Sequence, residues 1–361
     1  MSRQSFCDLT LAELKQRSPP GSAEHLFGAL HRVPRWPTDG EGQRTAPLGR
    51  RVRGFVEQHF DLGLPQLIVA ERSQDDATKL LFALADGAHV EAVHMPRAVR
   101  NPRVTLCISS QVGCAMGCTF CRTAKMGLVR NLGAGEIVGQ VFAALLALGP
   151  TDPQRLSVVF MGMGEPMHNL EAVLRAVAIL CEPAGLGLAP QRITVSTAGL
   201  VAGIEAMSHA AVRPALALSV NATTDHSRTA LMPITRRNSL AALRQALQVF
   251  PLRSHEKITL EYVVLAGEND TEQDADRLAD FANGLRHNIN VIPWNAFAAG
   301  GFTRPSDDRI GAFVARLRGH GCLVTVRKSR GTDVAGACGQ LATDTVRAAR
   351  LALGGTAPAQ P

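Results

Sequence analysis

A chain of 361 residues that is 46% hydrophobic and 19% charged can bury a sizeable core, which excludes disorder as its default, and its length suggests two domains. No stretch reaches the roughly 18 charge-free apolar residues of a membrane span. "MSRQSFCDLTLAELKQRSPP" lacks the apolar core of a secretory signal, so the expectation is a soluble cytoplasmic protein whose eight cysteines act as ligands or reactive thiols.

Residues 1 to about 60 read as helical segments broken by "SPPGS" and by "PRWPTDGEGQRTAPLG", a loop rich in Pro, Gly and polar residues. "LPQLIVAERSQDDATKLLFALADGAHVEAVHMP" follows as short antiparallel strands with turns at "SQDD" and "ADG". Together, residues 1–96 are expected to form a small accessory domain. From about Arg103 one rhythm repeats, an apolar β-branched run and then a helical stretch. The strands are "VTLCIS", "LSVVFM", "RITVST", "ALALSV", "ITLEYVVL", "INVIPW" and "LVTVRK". Between them "GEIVGQVFAALLAL", "NLEAVLRAVAIL", "LAALRQALQVF", "TEQDADRLADFANGL" and "DDRIGAFVARLRGHG" carry helical periodicity, mostly behind a polar or capping start. Such alternation predicts parallel strands joined by crossover helices. Six or seven units are too few to close an eight-stranded barrel, so residues 97–345 are expected to form an open partial barrel, with a disordered tail at 346–361.

Chemistry in such folds gathers at the C-terminal ends of the strands. "CAMGCTFC", Cys114 to Cys121, follows the first of these strands and Gly164 and Glu165 the second; Ser196, Ser219 and Asn295 end later ones. Zinc sites usually need four ligands, often as two CxxC pairs, and no second pair is apparent. Three thiolates from one short loop suit a 4Fe-4S cluster, whose fourth iron stays open for a chelating substrate or cofactor. In "MGMGEP", Gly162 and Gly164 would let the backbone approach closely, although a plain strand-to-helix turn is the alternative for that stretch taken alone.

Charge is uneven along the chain. Arg97 to Arg130 holds five Arg and one Lys with no acid, and Arg309 to Pro361 holds seven Arg and one Lys against Asp333 and Asp344. These segments total +12 of a net +7, which points to a polyanionic partner; scattered solvated side chains are the alternative. At 4% aromatic, the chain gives no support for an exposed base-stacking platform.

The spacing of Cys114, Cys118 and Cys121, with Phe120 before the last, resembles the radical S-adenosylmethionine (SAM) superfamily. "LCISSQVGCAMGCTFCRTAKMGLVRNL", "VVFMGMGEPMHN", "ITVSTAG", "YVVLAGEND", "VIPWNAF" and "VRKSRGTDVAGACGQL" narrow this: in order and spacing they resemble the RlmN/Cfr family of radical SAM RNA adenine methyltransferases. The resemblance implies an α/β fold, a partial (β/α)6-type barrel. It implies that Cys114, Cys118 and Cys121 ligate a 4Fe-4S cluster and that Gly164, Glu165, Ser196, Ser219, Val220, Asn221 and Asn295 line SAM, two molecules being used per turnover. Cys338 would carry the methyl group, Cys107 would be its resolving partner and Glu91 the proton acceptor.

The chemistry explains the extra thiols. An amidine carbon of adenine is not nucleophilic, so a methyl cation cannot be transferred to it directly. The family's solution, as the resemblance implies it, methylates Cys338 with one SAM and uses a radical from a second to take hydrogen from that methyl group. The carbon then adds to the ring, and attack by Cys107 frees the product and leaves a Cys107–Cys338 disulfide. Lys328 and Arg330 are expected to provide electropositive surroundings that favour the thiolates. The alternative for Cys107 and Cys338 is a small buried hydrophobe, the reading kept for Cys7, Cys181 and Cys322; for Glu91 it is an exposed strand carboxylate. "SSQVGCAMGC" looks closer to the housekeeping members than to the resistance methylases, which favours carbon 2 over carbon 8. The implied partners are RNA, ribosomal first and transfer RNA second, and an electron donor such as flavodoxin, with the enzyme a monomer. Two rival functions stay open: a radical SAM enzyme acting on a protein or small molecule, and a nonenzymatic iron-sulfur RNA-binding protein.

Overall fold

Residues 4–31, 50–97, 100–149, 151–297 and 300–342 are described by the structure, a computed structural model. The loop "PRWPTDGEGQRTAPLG" and the tail at 346–361 lie outside these residues.

Strands β1 (Gln66–Arg72), β2 (Thr78–Ala83) and β3 (His89–Arg97) run antiparallel as a meander. Its turns form where Asp75 accepts from the Ala77 N–H at 3.0 Å and Asp86 from the Ala88 N–H at 2.9 Å, side chains standing in for backbone acceptors. β3 then pairs antiparallel with β4 (Arg103–Cys107), and β5 (Leu156–Phe160), β6 (Ile193–Thr197), β7 (Ala215–Ser219), β8 (Ile258–Val264), β9 (His287–Pro293) and β10 (Val324–Val326) follow in parallel. All ten strands belong to one sheet, ordered as they occur in the chain. The sheet therefore crosses position 97 without a break, with Arg97 directly opposite Arg103.

Because the parallel strands never reverse their order, right-handed crossovers place every helix on the same face. The opposite face curls inward as an open barrel. The crossovers are α4 (Ala134–Leu148), α5 (Leu170–Cys181), α6 (Val201–Ser208), the pair α7 (Asp225–Leu231) and α8 (Leu240–Val249), α9 (Glu272–Ala282) and α10 (Asp307–Gly319). Thr224, Ser239, Thr271 and Ser306 cap α7 to α10, each side chain accepting a backbone N–H of the first turn, which fixes where those helices begin.

The N-terminal helices α1 (Leu11–Arg17), α2 (Ala23–His31) and α3 (Arg50–His59) belong to the segment that covers α4. Phe6, Phe27, His31 and Phe142 form one ring cluster across that interface. Close approach depends on a small residue, since a Cβ at Gly139 would stand 2.7 Å from Pro65 Cδ. Arg175 on α5 ties the segment down through Glu13 at 2.6 Å and Asp8 at 3.5 Å. Among the described residues no helix is long and apolar enough to cross a membrane.

Candidate active site

The cysteine loop is held on every side by backbone. A hairpin of Gln111–Gly113 with Leu128–Asn131 brackets it. Within the loop, the Cys114 N–H donates to Gly127 O at 2.8 Å and the Thr119 N–H to Leu231 O at the end of α7 at 3.0 Å. Trp294 Nε1, just past β9, donates to Phe120 O at 3.1 Å. Cys114 and Phe120 are buried with Met116, Met232, Leu265 and Trp294, an apolar bed whose burial pushes the Cys114 thiol up to about 12 and raises the Cys118 thiol well above its ordinary value.

All three thiols line a cavity, open at its mouth, at the C-terminal ends of the parallel strands. Of the other residues expected there, Gly164, Glu165, Ser196, Ser219, Asn221, Asn295 and Cys338 line the same cavity. Val220 is instead fully buried. Gly164 has φ +100 and a Cβ there would meet Gln111 Cβ at 2.5 Å, so the backbone reaches the cavity only with glycine. Glu165 is buried and both of its oxygens accept backbone N–H bonds, from Met167 at 3.0 Å and from Ala198 at 2.7 Å. Burial raises its pKa against those donors. Asn221 takes the left-handed conformation at φ 56, which asparagine tolerates, and its Oδ1 accepts from Val263 N at 2.8 Å.

Cys338 sits in a loop, residues 331–342, that closes the cavity from the side. Asn295 Nδ2 donates to Cys338 O at 3.1 Å, Arg122 N to Gly339 O at 2.8 Å and Thr123 Oγ1 to Leu341 O at 2.6 Å. A second, narrow cavity joins Cys338 to Cys107 at the end of β4, with Met161 and Arg327 in its wall. The fold thus unites two thiols from opposite ends of the barrel sequence. Both are free, and burial pushes Cys107 up to about 12 and raises Cys338. The cation opposing that burial is Arg327 rather than the expected Lys328 and Arg330. Lys328 is exposed, and the Arg330 guanidinium turns away to the Asp75 carboxylate at 2.9 Å.

Glu91 is no exposed strand carboxylate. It is 1% exposed on β3, lies 3.8 Å from Lys79 Nζ, and accepts the Ala342 N–H at 2.9 Å, at the end of the Cys338 loop. Sequence reasoning passed over two further groups. Glu261, in the middle of β8, lines the main cavity and is steadied by Asn290 Nδ2 at 2.9 Å. A charge inside the apolar run "ITLEYVVL" was its available signal. Arg228 on α7 is fully buried and donates to Val220 O, Thr235 Oγ1, Ala198 O and Ser219 O, behind the cavity wall.

Residues 108–281 match the model of the radical SAM superfamily. The chain is 46% identical over 294 residues, 81% of its length and 77% of the relative's, to the dual-specificity RNA methyltransferase RlmN of Syntrophotalea carbinolica. It is 38% identical to that of Wolinella succinogenes, covering 92% of this chain and 95% of the relative. The chain belongs to the RlmN family. Its fold agrees with a radical SAM methyltransferase from Sphaerobacter thermophilus at a TM-score of 0.84 and 37% identity, over 93% of this chain and 98% of that one.

Membership brings a 4Fe-4S cluster and SAM as cofactors, and the donor set fits them. The three thiols line one cavity, yet among the described residues no three His, Cys, Asp or Glu side chains form a group that could hold a single metal ion. Thiolates that each bind a different iron of a cubane need not meet at one point. This RlmN-family chain is a radical SAM methyltransferase.

Proposed function

We propose that the protein methylates carbon 2 of an adenine in RNA, ribosomal RNA first and transfer RNA as the second candidate, through a methyl-cysteine at Cys338. The observation that carries this reading is the narrow cavity shared by Cys107 and Cys338 beside the cysteine-lined one. A radical SAM enzyme that only activates SAM has no use for that second pair of thiols. Support for RNA comes from the names of the relatives and from Arg97 and Arg103, two exposed like charges directly opposite each other on neighbouring strands, an arrangement that is unfavourable without an anion.

Cys114, Cys118 and Cys121 hold the cluster, and Gly164, Glu165, Ser196, Ser219, Asn221 and Asn295 form the SAM site, with the buried Val220 behind its wall. Bound there together, the cluster and SAM supply the methyl group and a hydrogen-abstracting deoxyadenosyl radical. Glu165, its orientation fixed by two peptide N–H groups, accepts from the ammonium or ribose of SAM. Cys338 carries the carbon to the base and becomes bonded to it. After that adduct has given one electron back to the bound cluster and the ring proton to Glu91, the Cys107 thiolate attacks the Cys338 sulfur. The S–S bond forms as the S–C bond breaks, and the carbon leaves with the electron pair and takes up a proton to become the methyl group. The protein works as a cytoplasmic monomer and draws its electrons from a small donor such as flavodoxin.

Cys107→Ala should form the covalent adduct and fail to release it, so RNA copurifies with that variant. Cys338→Ala, unable to accept the methyl group, should hold no covalent RNA, and the double variant should behave like Cys338→Ala. Normal turnover by Cys107→Ala would remove the resolving role and leave only SAM activation.

A further inference from the structure

Arg228 presents a physical problem. Its side chain is 0% exposed, and among the described residues no carboxylate lies within ion-pair distance of it; burial lowers its pKa, and the groups that work against that are the Cys118 thiol and the Asp225 carboxylate. A buried charge without a counter-charge is strongly unfavourable unless other groups compensate it. Four acceptors do part of this: Val220 O at 2.9 Å from Nε, Thr235 Oγ1 at 2.9 Å from Nη1, and Ser219 O at 2.9 Å and Ala198 O at 2.6 Å from Nη2.

Ala198 O is the informative partner. The Ala198 N–H donates to Glu165 Oε2 at 2.7 Å, so the residue touches the buried carboxylate with its N–H while its carbonyl touches the buried guanidinium. Hydrogen bonds in such a chain polarise one another, and the low local dielectric strengthens them. Three strand ends meet at this point. Glu165 lies past β5, Ala198 past β6 and Ser219 at the end of β7, while the Thr119 N–H of the cysteine loop donates to the last carbonyl of the same helix that carries Arg228.

We infer that Arg228, through the hydrogen bonds that link it to Ala198 and Ser219 and through Ala198 to Glu165, positions Glu165 and the β6 and β7 strand ends to receive SAM. It is a positioning residue, since Glu165 and the strand-end carbonyls stand between it and the cavity. The inference rests on the proposed role of Glu165 as a SAM ligand. Lysine at 228 would keep the charge but could not span four acceptors with a planar fork.

A double-mutant cycle tests it on anaerobically reconstituted protein. Glu165→Gln, Arg228→Lys, Arg228→Gln and the combinations with Glu165→Gln are checked for full iron content and for melting temperature. SAM affinity is then measured by equilibrium dialysis, and the SAM-induced change in the electron paramagnetic resonance signal of the reduced cluster is recorded. With Glu165 intact, Arg228→Lys should weaken SAM about fivefold and Arg228→Gln about thirtyfold, with a smaller spectral change. In the Glu165→Gln background both losses should shrink to the smaller part that comes from the β6 and β7 strand ends. Equal losses in both backgrounds, or a lowered melting temperature with unchanged SAM affinity, would overturn the inference. If Arg228→Gln takes up no iron, the Arg228→Lys cycle decides alone. Unchanged affinity in Glu165→Gln itself would instead sink the assignment of Glu165 as a SAM ligand, which separates the two failures.

Discussion

Single residues at this site are constrained by backbone as much as by chemistry. Gly164 shows it: at φ +100, with Gln111 Cβ 2.5 Å from where its own Cβ would be, alanine must either strain or push the strand-end loop away. Gly164→Ala should therefore lower stability by about 1–3 kcal/mol and weaken SAM binding further than that loss alone explains, read by a thermal melt and by dialysis on one sample. Cys114, Cys118, Cys121 and Glu165 were legible in the sequence because three thiols in one short loop and an acid after a glycine turn are rare local patterns. Arg228 was not. An isolated Arg in a seven-residue helix reads as a solvated charge, and only the fold shows that its guanidinium lies under three strand ends. Arg327 was missed for the opposite reason, since Lys328 and Arg330 beside it were equally basic and only the register of β10, with Val326 opposite Val291, decides which cation faces the thiols.

At the level of elements, the parallel strands announced themselves as short β-branched apolar runs because most of them are largely buried, although β10 has two of its three residues exposed. Helices α6 and α7 did not, being eight and seven residues long and too short for periodicity to emerge. The least legible element is the loop of Cys338, whose conformation depends on distant partners. At one end Gly331 N donates to the Asp75 carboxylate at 3.1 Å, Arg330 pairs with that carboxylate, and Asp333 accepts from Ser73 Oγ and Gln74 N, all in the β1–β2 turn. At the other, Gln340 Nε2 donates to Ala296 O at 2.7 Å and Ala342 N to Glu91 at 2.9 Å. The meander that precedes the barrel therefore holds the loop that carries Cys338. Asp75→Ala should loosen residues 331–342 and leave the cysteine loop intact. Hydrogen exchange should show protection in the Cys338 loop falling about fivefold, near 1 kcal/mol for a solvent-screened ion pair, with iron content unchanged. Equal loss of protection across both loops would mean that the turn stabilises the sheet generally.

For the whole molecule, the basic segments are less uniform than their sequence suggests. Arg130 is neutralised by Asp86 at 2.7 Å and Glu136 at 2.8 Å, Arg316 by Asp276 at 2.6 Å, and Arg330 by Asp75. Arg97, Arg100 and Arg103 stay exposed, and Arg103 starts the strand that Cys107 ends, about 13 Å away at strand rise. A substrate that touches both ends of β4 must be large, as a folded RNA is and a nucleoside is not. Affinity for such an RNA should fall steeply with salt because each neutralised phosphate releases counterions, about 0.7 in log–log slope per contact on a single strand. Changing Arg97, Arg100 and Arg103 together to Glu should then flatten the slope by about 2 and weaken binding, while SAM cleavage and iron content stay as they were, because these side chains lie at the end of the sheet away from the cavity. A slope that is flat before any substitution would argue against a polyanionic substrate. An unchanged slope in the triple variant would confine the contact to the cavity mouth, where Arg122 and Lys125 flank the cysteine loop.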